Sequence, residues 1–125
     1  MNLLNILIVD DDHDLSHRLA DILGATGHLT RVAGSGFEGL REVASDPPDI
    51  ILLGVEMPIL DGLEMAEALA VRQAGKPSIP IVLVSASRHL ERIAGLVGTP
   101  YYLKKPFGIS EVTGLVRRVL DARAR

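Results

Sequence analysis

Cysteine is absent from the sequence, which excludes disulfide bonds and thiolate metal sites. Long apolar runs are absent too: the longest are four or five residues, against the roughly 20 needed to cross a bilayer. The chain also lacks a strong excess of either charge, and its net charge of −3 gives no reason to expect binding to nucleic acid or to an anionic membrane. Residues 1–5 lack the basic region and apolar run of a signal peptide. These absences predict a cytoplasmic location.

What is present is the composition of one globular domain. Apolar residues make up 47% of the chain and charged residues 23%, which excludes a disordered protein. A chain of 125 residues is long enough to bury one core without disulfides or metals. No repeat, composition shift or low-complexity linker divides it, so we expect a single domain over residues 1–125.

Five stretches have the pattern of strands. Three are near-continuous apolar runs, at residues 6–9, 50–53 and 79–84, and such runs are typical of parallel strands buried on both faces. Two weaker candidates lie at residues 28–33 and 101–103.

Between the strands, the apolar residues recur at helical spacing. Three groups predict helices by this period: Leu15, Leu19, Ile22 and Leu23; Leu90, Ile93, Ala94 and Val97; and Ile109, Val112, Val116, Val119 and Leu120. Two capping signals predict the remaining helices, since an acid follows Ser35 at Glu38 and follows Asp61 at Glu64, with Gly75 beyond the second helix.

The strands and helices therefore alternate five times, which predicts an α/β fold with a parallel sheet and helices on both faces. The basic residues between 117 and 125 are either the end of the last helix, favoured by the helix dipole, or the start of a linker.

Polar residues follow the predicted strands at the carboxyl edge of the sheet, where open α/β sheets bind ligands. The first strand is followed by Asp10-Asp11-Asp12, the third by Gly54-Val55-Glu56, the fourth by Ser85 and the fifth by Lys104-Lys105-Pro106. Clustered carboxylates bind Mg²⁺, and hydroxyl and ammonium groups hold phosphoryl oxygens. The combination indicates a carboxylate phosphorylation site, with Asp12 also placed to cap the first helix.

Four segments, ILIVDDDHDL, PDIILLGVEMPILDGLEM, IVLVSAS and YYLKKPF, occur in this order. Together they resemble, from end to end, the receiver domain of response regulators in two-component and phosphorelay signalling. The resemblance implies a flavodoxin-like, doubly wound sheet of five parallel strands in the order 2-1-3-4-5, with five helices. It also implies a signalling protein rather than an enzyme.

The resemblance assigns roles residue by residue. Asp10 and Asp11 match the acidic pair, with Asp11 the direct Mg²⁺ ligand, and Glu56 matches the residue whose backbone carbonyl also contacts the metal. Ser85 and Lys105 match the hydroxyl and the lysine that contact the phosphoryl group.

Tyr102 matches the aromatic residue whose rotamer couples to Ser85, and the Lys105-Pro106 peptide bond is usually cis in this family. Plainer interpretations remain beside these, with Ser85 as a turn residue and Tyr102 as a partly buried core aromatic.

The sequence departs from the family at position 54, where receivers carry the phosphorylated aspartate. Gly54 has no side chain, so no acyl phosphate can form on it. The loss of one carboxylate predicts weak or absent Mg²⁺ binding. It also leaves Lys105 without its nearest anion, and we expect Lys105 to pair with Asp10, Asp11 or the Glu56 side chain.

Three functions are compatible with this pattern. The first is a receiver that acts by protein–protein contact without phosphorylation at position 54. The second is an ordinary receiver in which Gly54 is an introduced or variant substitution. The third, and least favoured, is a phosphotransferase or phosphatase with Asp10 as nucleophile and Asp12 two residues beyond it.

The resemblance further implies the partners of the domain. These are a sensor histidine kinase, a phosphotransfer protein or an effector domain, and a second copy of the chain docked through the fourth helix. The output face would comprise the fourth helix, the fifth strand and the fifth helix, and it would include Arg88, Glu91, Arg92, Tyr102 and Lys104.

Overall fold

The structure is a computed structural model that describes residues 3–123, so the ends of the chain, including Ala124 and Arg125 of the basic tail, lie outside the described residues. Strands and helices alternate along the chain: β1 Asn5–Val9, α1 His13–Ala25, β2 Leu29–Ala33, α2 Gly36–Ser45, β3 Ile50–Gly54, α3 Gly62–Arg72, β4 Ile81–Ser85, α4 Leu90–Val97, β5 Tyr101–Lys104 and α5 Ile109–Arg123. The strands form one parallel sheet in the order β2-β1-β3-β4-β5. The predicted fold class and strand order are confirmed.

The strand ends differ from the prediction by one or two residues. Gly54, Ser85 and Lys104 are the last residues of their strands rather than the first residues after them, because their positions still pair across the ladder. The fourth strand begins at Ile81 instead of residue 79. Pro80 has no N–H to donate, and its carbonyl accepts the N–H of Ile51 ahead of the strand.

The helix starts follow the capping signals in the sequence. Asp12 caps α1 by accepting the N–H of Leu15, as predicted. The Asp61 and Glu64 side chains form a complete capping box at α3, each accepting the other's backbone N–H.

The box predicted at α2 is only half formed. Ser35 accepts the N–H of Glu38, but the Glu38 carboxylate accepts the N–H of Gly34 rather than that of Ser35. Glycine is required nearby by close packing, since a Cβ built on Gly36 would lie 2.7 Å from the Leu60 carbonyl oxygen.

The sheet separates two aliphatic cores. Alternate strand residues, including Ile8, Leu52 and Val84, pack under α1 and α5, whereas their neighbours, including Leu53 and Leu83, pack under α2, α3 and α4. None of the helices within residues 3–123 combines the length and hydropathy needed to cross a membrane.

Candidate functional site

The site lies at the carboxyl edge of the sheet, where backbone hydrogen bonds continue past the ends of two strands. The N–H of Asp10 donates to the Ala33 carbonyl at 3.1 Å, so the ladder between β1 and β2 extends by one residue. The N–H of Lys105 donates to the Ser85 carbonyl at 2.9 Å, which extends the ladder between β4 and β5. These bonds fix the backbones from which Asp10 and Lys105 project.

Gly54 and Asp10 share one space at this edge. A Cβ built on Gly54 would lie 2.6 Å from Asp10 Oδ2 and 2.8 Å from Asp10 Cγ, distances that atoms in ordinary contact do not reach. Gly54 is not among the residues with positive φ, so its backbone conformation is open to any residue. The Asp10 carboxylate, and not the main chain, occupies the volume of a side chain at position 54.

The Asp10 carboxylate is buried, with 4% of the residue exposed. Burial raises its pKa because a charged carboxylate loses hydration there. The rise is opposed by the N–H of Asp12, which donates to Oδ1 at 3.0 Å, and by the ammonium of Lys105. Lys105 Nζ lies 3.9 Å from Asp10 Oδ2, which is an ion-pair contact but too long for a hydrogen bond. Of the three acids named as partners of Lys105, Asp10 is the one that it contacts in the described residues.

Ser85 and Glu56 form the second contact of the site. The Ser85 hydroxyl is fully buried and donates to the Glu56 carboxylate, whose two oxygens lie 2.8 Å and 2.9 Å from Oγ. The same Oγ accepts the N–H of Ser87 at 2.9 Å. Ser85 therefore makes the turn contact of the plainer interpretation and, in addition, a charge-assisted hydrogen bond across to the loop after β3.

Comparison with known proteins identifies the family. The family model described as the response regulator receiver domain matches residues 6–117. The chain belongs to this family. It is 39% identical over 118 residues to the response regulator MprA of Mycobacterium ulcerans, covering 94% of this chain and 50% of that protein. The MprA of Mycobacterium avium matches equally, at 39% identity, 94% of this chain and 51% of the relative. The chain thus spans about half the length of the curated relatives that it matches.

Solved structures agree with the fold. The receiver domain of the Francisella response regulator 1452 superposes with a TM-score of 0.82 at 27% identity, covering 98% of this chain and 99% of that one. The Vibrio cholerae chemotaxis protein CheY4 superposes with a TM-score of 0.84, covering 94% and 98%, and at 24% identity this likeness concerns the fold alone. The chain is therefore a response regulator receiver domain of two-component signalling.

The other predicted site residues of this receiver are spread along the edge and one face. Asp11 is exposed directly after Asp10, and Tyr102 on β5 is 39% exposed. The Lys105-Pro106 peptide bond is cis, as expected for a receiver. The side chains named for the output face are all exposed, on the approach to α4, on α4 itself and on β5: Arg88, Glu91, Arg92, Tyr102 and Lys104.

Within residues 3–123, no three acidic or histidine side chains converge closely enough to hold a metal ion. Asp10 is engaged by Asp12 and Lys105, and the Glu56 carboxylate is turned to Ser85. Mg²⁺ usually keeps several water ligands and needs only one or two carboxylates, so the weak binding expected from the sequence stays a prediction.

Two contacts were missed by the sequence analysis. The resemblance assigned a role only to the backbone of Glu56, whereas the structure gives its side chain to Ser85. The sequence analysis also did not place the Asp10 carboxylate in the space beside Gly54. A signal for both was available in the sequence. With glycine at position 54, the aspartate that receivers carry there is missing. Nearby acids such as Glu56 then have no competitor for the Ser85 hydroxyl and the Lys105 ammonium.

Proposed function

We propose that this receiver signals through protein–protein contact and is not phosphorylated at position 54. Glycine carries no carboxylate, so an acyl phosphate has no atom on which to form there. The observation that carries the proposal is the position of Asp10, whose Oδ2 lies 2.6 Å from the place of a Cβ on Gly54. The pocket is filled around glycine, with Lys105 turned to Asp10 and Ser85 turned to Glu56.

The test is chemical phosphorylation followed by intact mass measurement. The protein is incubated with Mg²⁺ and acetyl phosphate, and we expect no phosphoryl adduct. The Gly54→Asp variant should be labelled, because the backbone at position 54 accepts a side chain once the Asp10 carboxylate turns aside. Gly54→Asn is the matched control, since it has nearly the same size and no carboxylate to phosphorylate. An adduct on the unaltered chain would contradict the proposal and would point to Glu56 or one of the aspartates.

Mg²⁺ binding is proposed to be weak or absent for the same reason. Asp10, Asp11 and the Glu56 carbonyl are the groups that would hold the ion, and a third carboxylate is missing from the set. A Mg²⁺ titration followed by NMR should give a weaker affinity for the unaltered chain than for Gly54→Asp. Equal affinities would contradict this part of the proposal.

The partners are proposed to be signalling proteins: a sensor histidine kinase, a phosphotransfer protein or an effector domain, with a homodimer through the α4 face as a further contact. Support comes from the exposure of Arg88, Glu91, Arg92 and Lys104 on that face. No catalytic turnover and no direct contact with nucleic acid or membrane is part of the proposal, and we place the domain in the cytoplasm. Hydrolysis of a phosphate ester that disappears in Asp10→Ala would contradict the non-enzymatic role.

A second candidate is the ordinary phospho-accepting receiver, with Gly54 as an introduced or variant residue. The observation that favours it is the backbone at Gly54, whose φ is not positive and which therefore has no need of glycine. The gene decides between the two, because an Asp codon at position 54 in the source organism would support the second candidate and a Gly codon the first.

A further inference from the structure

The Glu56 carboxylate accepts a hydrogen bond from the Ser85 hydroxyl although burial does not hold the Glu56 side chain in place. Glu56 is exposed on the loop between β3 and α3, whereas Ser85 is fully buried at the end of β4. Within residues 3–123, Glu56 forms no ion pair with Lys105 or any other cation, and its described contact is the Ser85 hydroxyl. A free carboxylate on an exposed loop prefers water, so its position at Ser85 reflects a specific hydrogen bond rather than packing.

A series of hydrogen bonds runs from this contact to the start of α4. The N–H of Ser87 donates to Ser85 Oγ at 2.9 Å, and the N–H of His89 donates to Ser87 Oγ at 3.0 Å. The N–H of Leu90, the first residue of α4, donates to the Ser87 carbonyl. His89 makes no side-chain capping bond to α4, so Ser87 is the residue that fastens the helix start to the strand.

We infer that the Glu56 carboxylate is a built-in ligand of Ser85 that holds the β4–α4 connection in one position without any phosphoryl group. We call the pair the Glu56–Ser85 latch. Glu56 belongs to the loop after β3 and Ser85 is the last residue of β4, so the bond joins that loop to the strand end from which the connection to α4 begins. Glu56 acts here as a positioning residue, because it orients the Ser85 lone pairs toward Ser87 by accepting the hydroxyl proton.

The signalling meaning of the latch rests on the proposed function. In a receiver that is phosphorylated, the phosphoryl group gives the hydroxyl at the position of Ser85 an anionic partner in the phosphorylated state only. The two conformations of the domain can then be populated unequally. In this chain the anion is part of the sequence, so the hydroxyl is engaged at all times. The α4 face is then presented in one arrangement to any partner.

Amide hydrogen exchange measured by NMR tests the latch directly. Glu56→Ala should accelerate exchange of the Ser87 amide by about tenfold or more, since a hydrogen bond to a charged group is lost and Ser85 Oγ becomes free to rotate. Glu56→Gln keeps the shape and a neutral acceptor, so a smaller acceleration is expected. Glu67→Ala and Glu67→Gln are the matched controls, because Glu67 is exposed on α3 and should leave Ser87 unchanged.

The Ser85→Ala background separates the latch from a general loss of stability. In that background Glu56→Ala should add nothing at Ser87, because the acceptor is already gone. Exchange of the buried Leu52 amide in β3 reports global unfolding, and the Glu56 effect at Ser87 should exceed the effect at Leu52. If Glu56→Ala proves too unstable to measure, the direction expected for Glu56→Gln carries the test.

An unchanged Ser87 exchange rate in the Glu56 variants would overturn the latch. Equal acceleration at Ser87 and Leu52 would overturn it too, since Glu56 would then only stabilise the fold. The proposed function fails by a different measurement, a phosphoryl adduct on the unaltered chain, so the two failures are distinct.

Discussion

At the scale of single residues, the pocket is determined by what occupies the volume beside Gly54. The Asp10 carboxylate takes that volume and is held there by the Asp12 N–H and the Lys105 ammonium. Burial raises the pKa of Asp10, so the charged carboxylate would gain hydration free energy by moving toward water. Its two partners and the absence of a side chain at position 54 let it stay.

A double-mutant cycle measures this competition for space. In the unaltered background, Gly54→Ala should lower the free energy of unfolding by about 1 kcal/mol, because the new methyl group meets Asp10 and outweighs the gain from a less flexible unfolded chain. In the Asp10→Ala background the same change should be neutral or slightly stabilising. Urea denaturation of the four proteins gives the coupling. Additive effects would mean that Asp10 moves aside at no cost.

At the scale of elements, local signals predicted what local contacts decide. The order of the ten elements follows from the apolar runs and the helical period, and the capping box at Asp61 and Glu64 forms as its spacing predicts. The box at Ser35 forms by half, because the Glu38 carboxylate has a second N–H within reach, that of Gly34. The predicted third, fourth and fifth strands ended one residue too early, because pairing with a neighbouring strand, rather than composition, decides where a strand ends.

The contacts of the site lay beyond such signals. The strand pattern indicated which residues follow the strands at the carboxyl edge of the sheet. The sequence left three acids open as the partner of Lys105, of which Asp10 is the one in contact, and it did not predict that Glu56 reaches Ser85. Those choices depend on side-chain rotamers and on the path of the loop after β3. That loop also contains Ile59 at φ 72°. A positive φ is rare for a β-branched residue, so the residue type at position 59 does not predict this conformation.

At the scale of the whole molecule, His28 makes the stability of the fold depend on pH. Its Nδ1 accepts the N–H of Leu4 at 3.1 Å, which requires an unprotonated nitrogen, and burial lowers its pKa from the ordinary value of 6.5. The unfolded chain therefore binds this proton more readily than the folded protein does. The resulting stability is complete above pH 6.5 and is lost as the pH falls from 6.5 toward the lower pKa of the folded state.

Replacement of His28 by a residue that does not titrate should remove this loss. His28→Asn keeps an acceptor near the position of Nδ1, so the free energy of unfolding should fall less between pH 7 and pH 5 than in the unaltered protein. His17→Asn is the matched control, because it removes a histidine from the exposed surface of α1, away from this contact. Chemical denaturation across the pH range gives the comparison, and an identical decline in His28→Asn and the unaltered protein would contradict the assignment.

The two cores on either side of the sheet have a consequence for the edge above them. Strand alternation directs Asp10 and Gly54 to the layer of α1 and α5, with Ile8 and Leu52, and directs Ser85 to the opposite layer, with Leu83. Within residues 3–123, no side-chain hydrogen bond or ion pair crosses between the Asp10–Lys105 pair and the Glu56–Ser85 pair. The two pairs are thus coupled through main chain alone, by the Lys105 N–H that donates to the Ser85 carbonyl, and a change in one helix layer reaches the other through the backbone of β4 and β5.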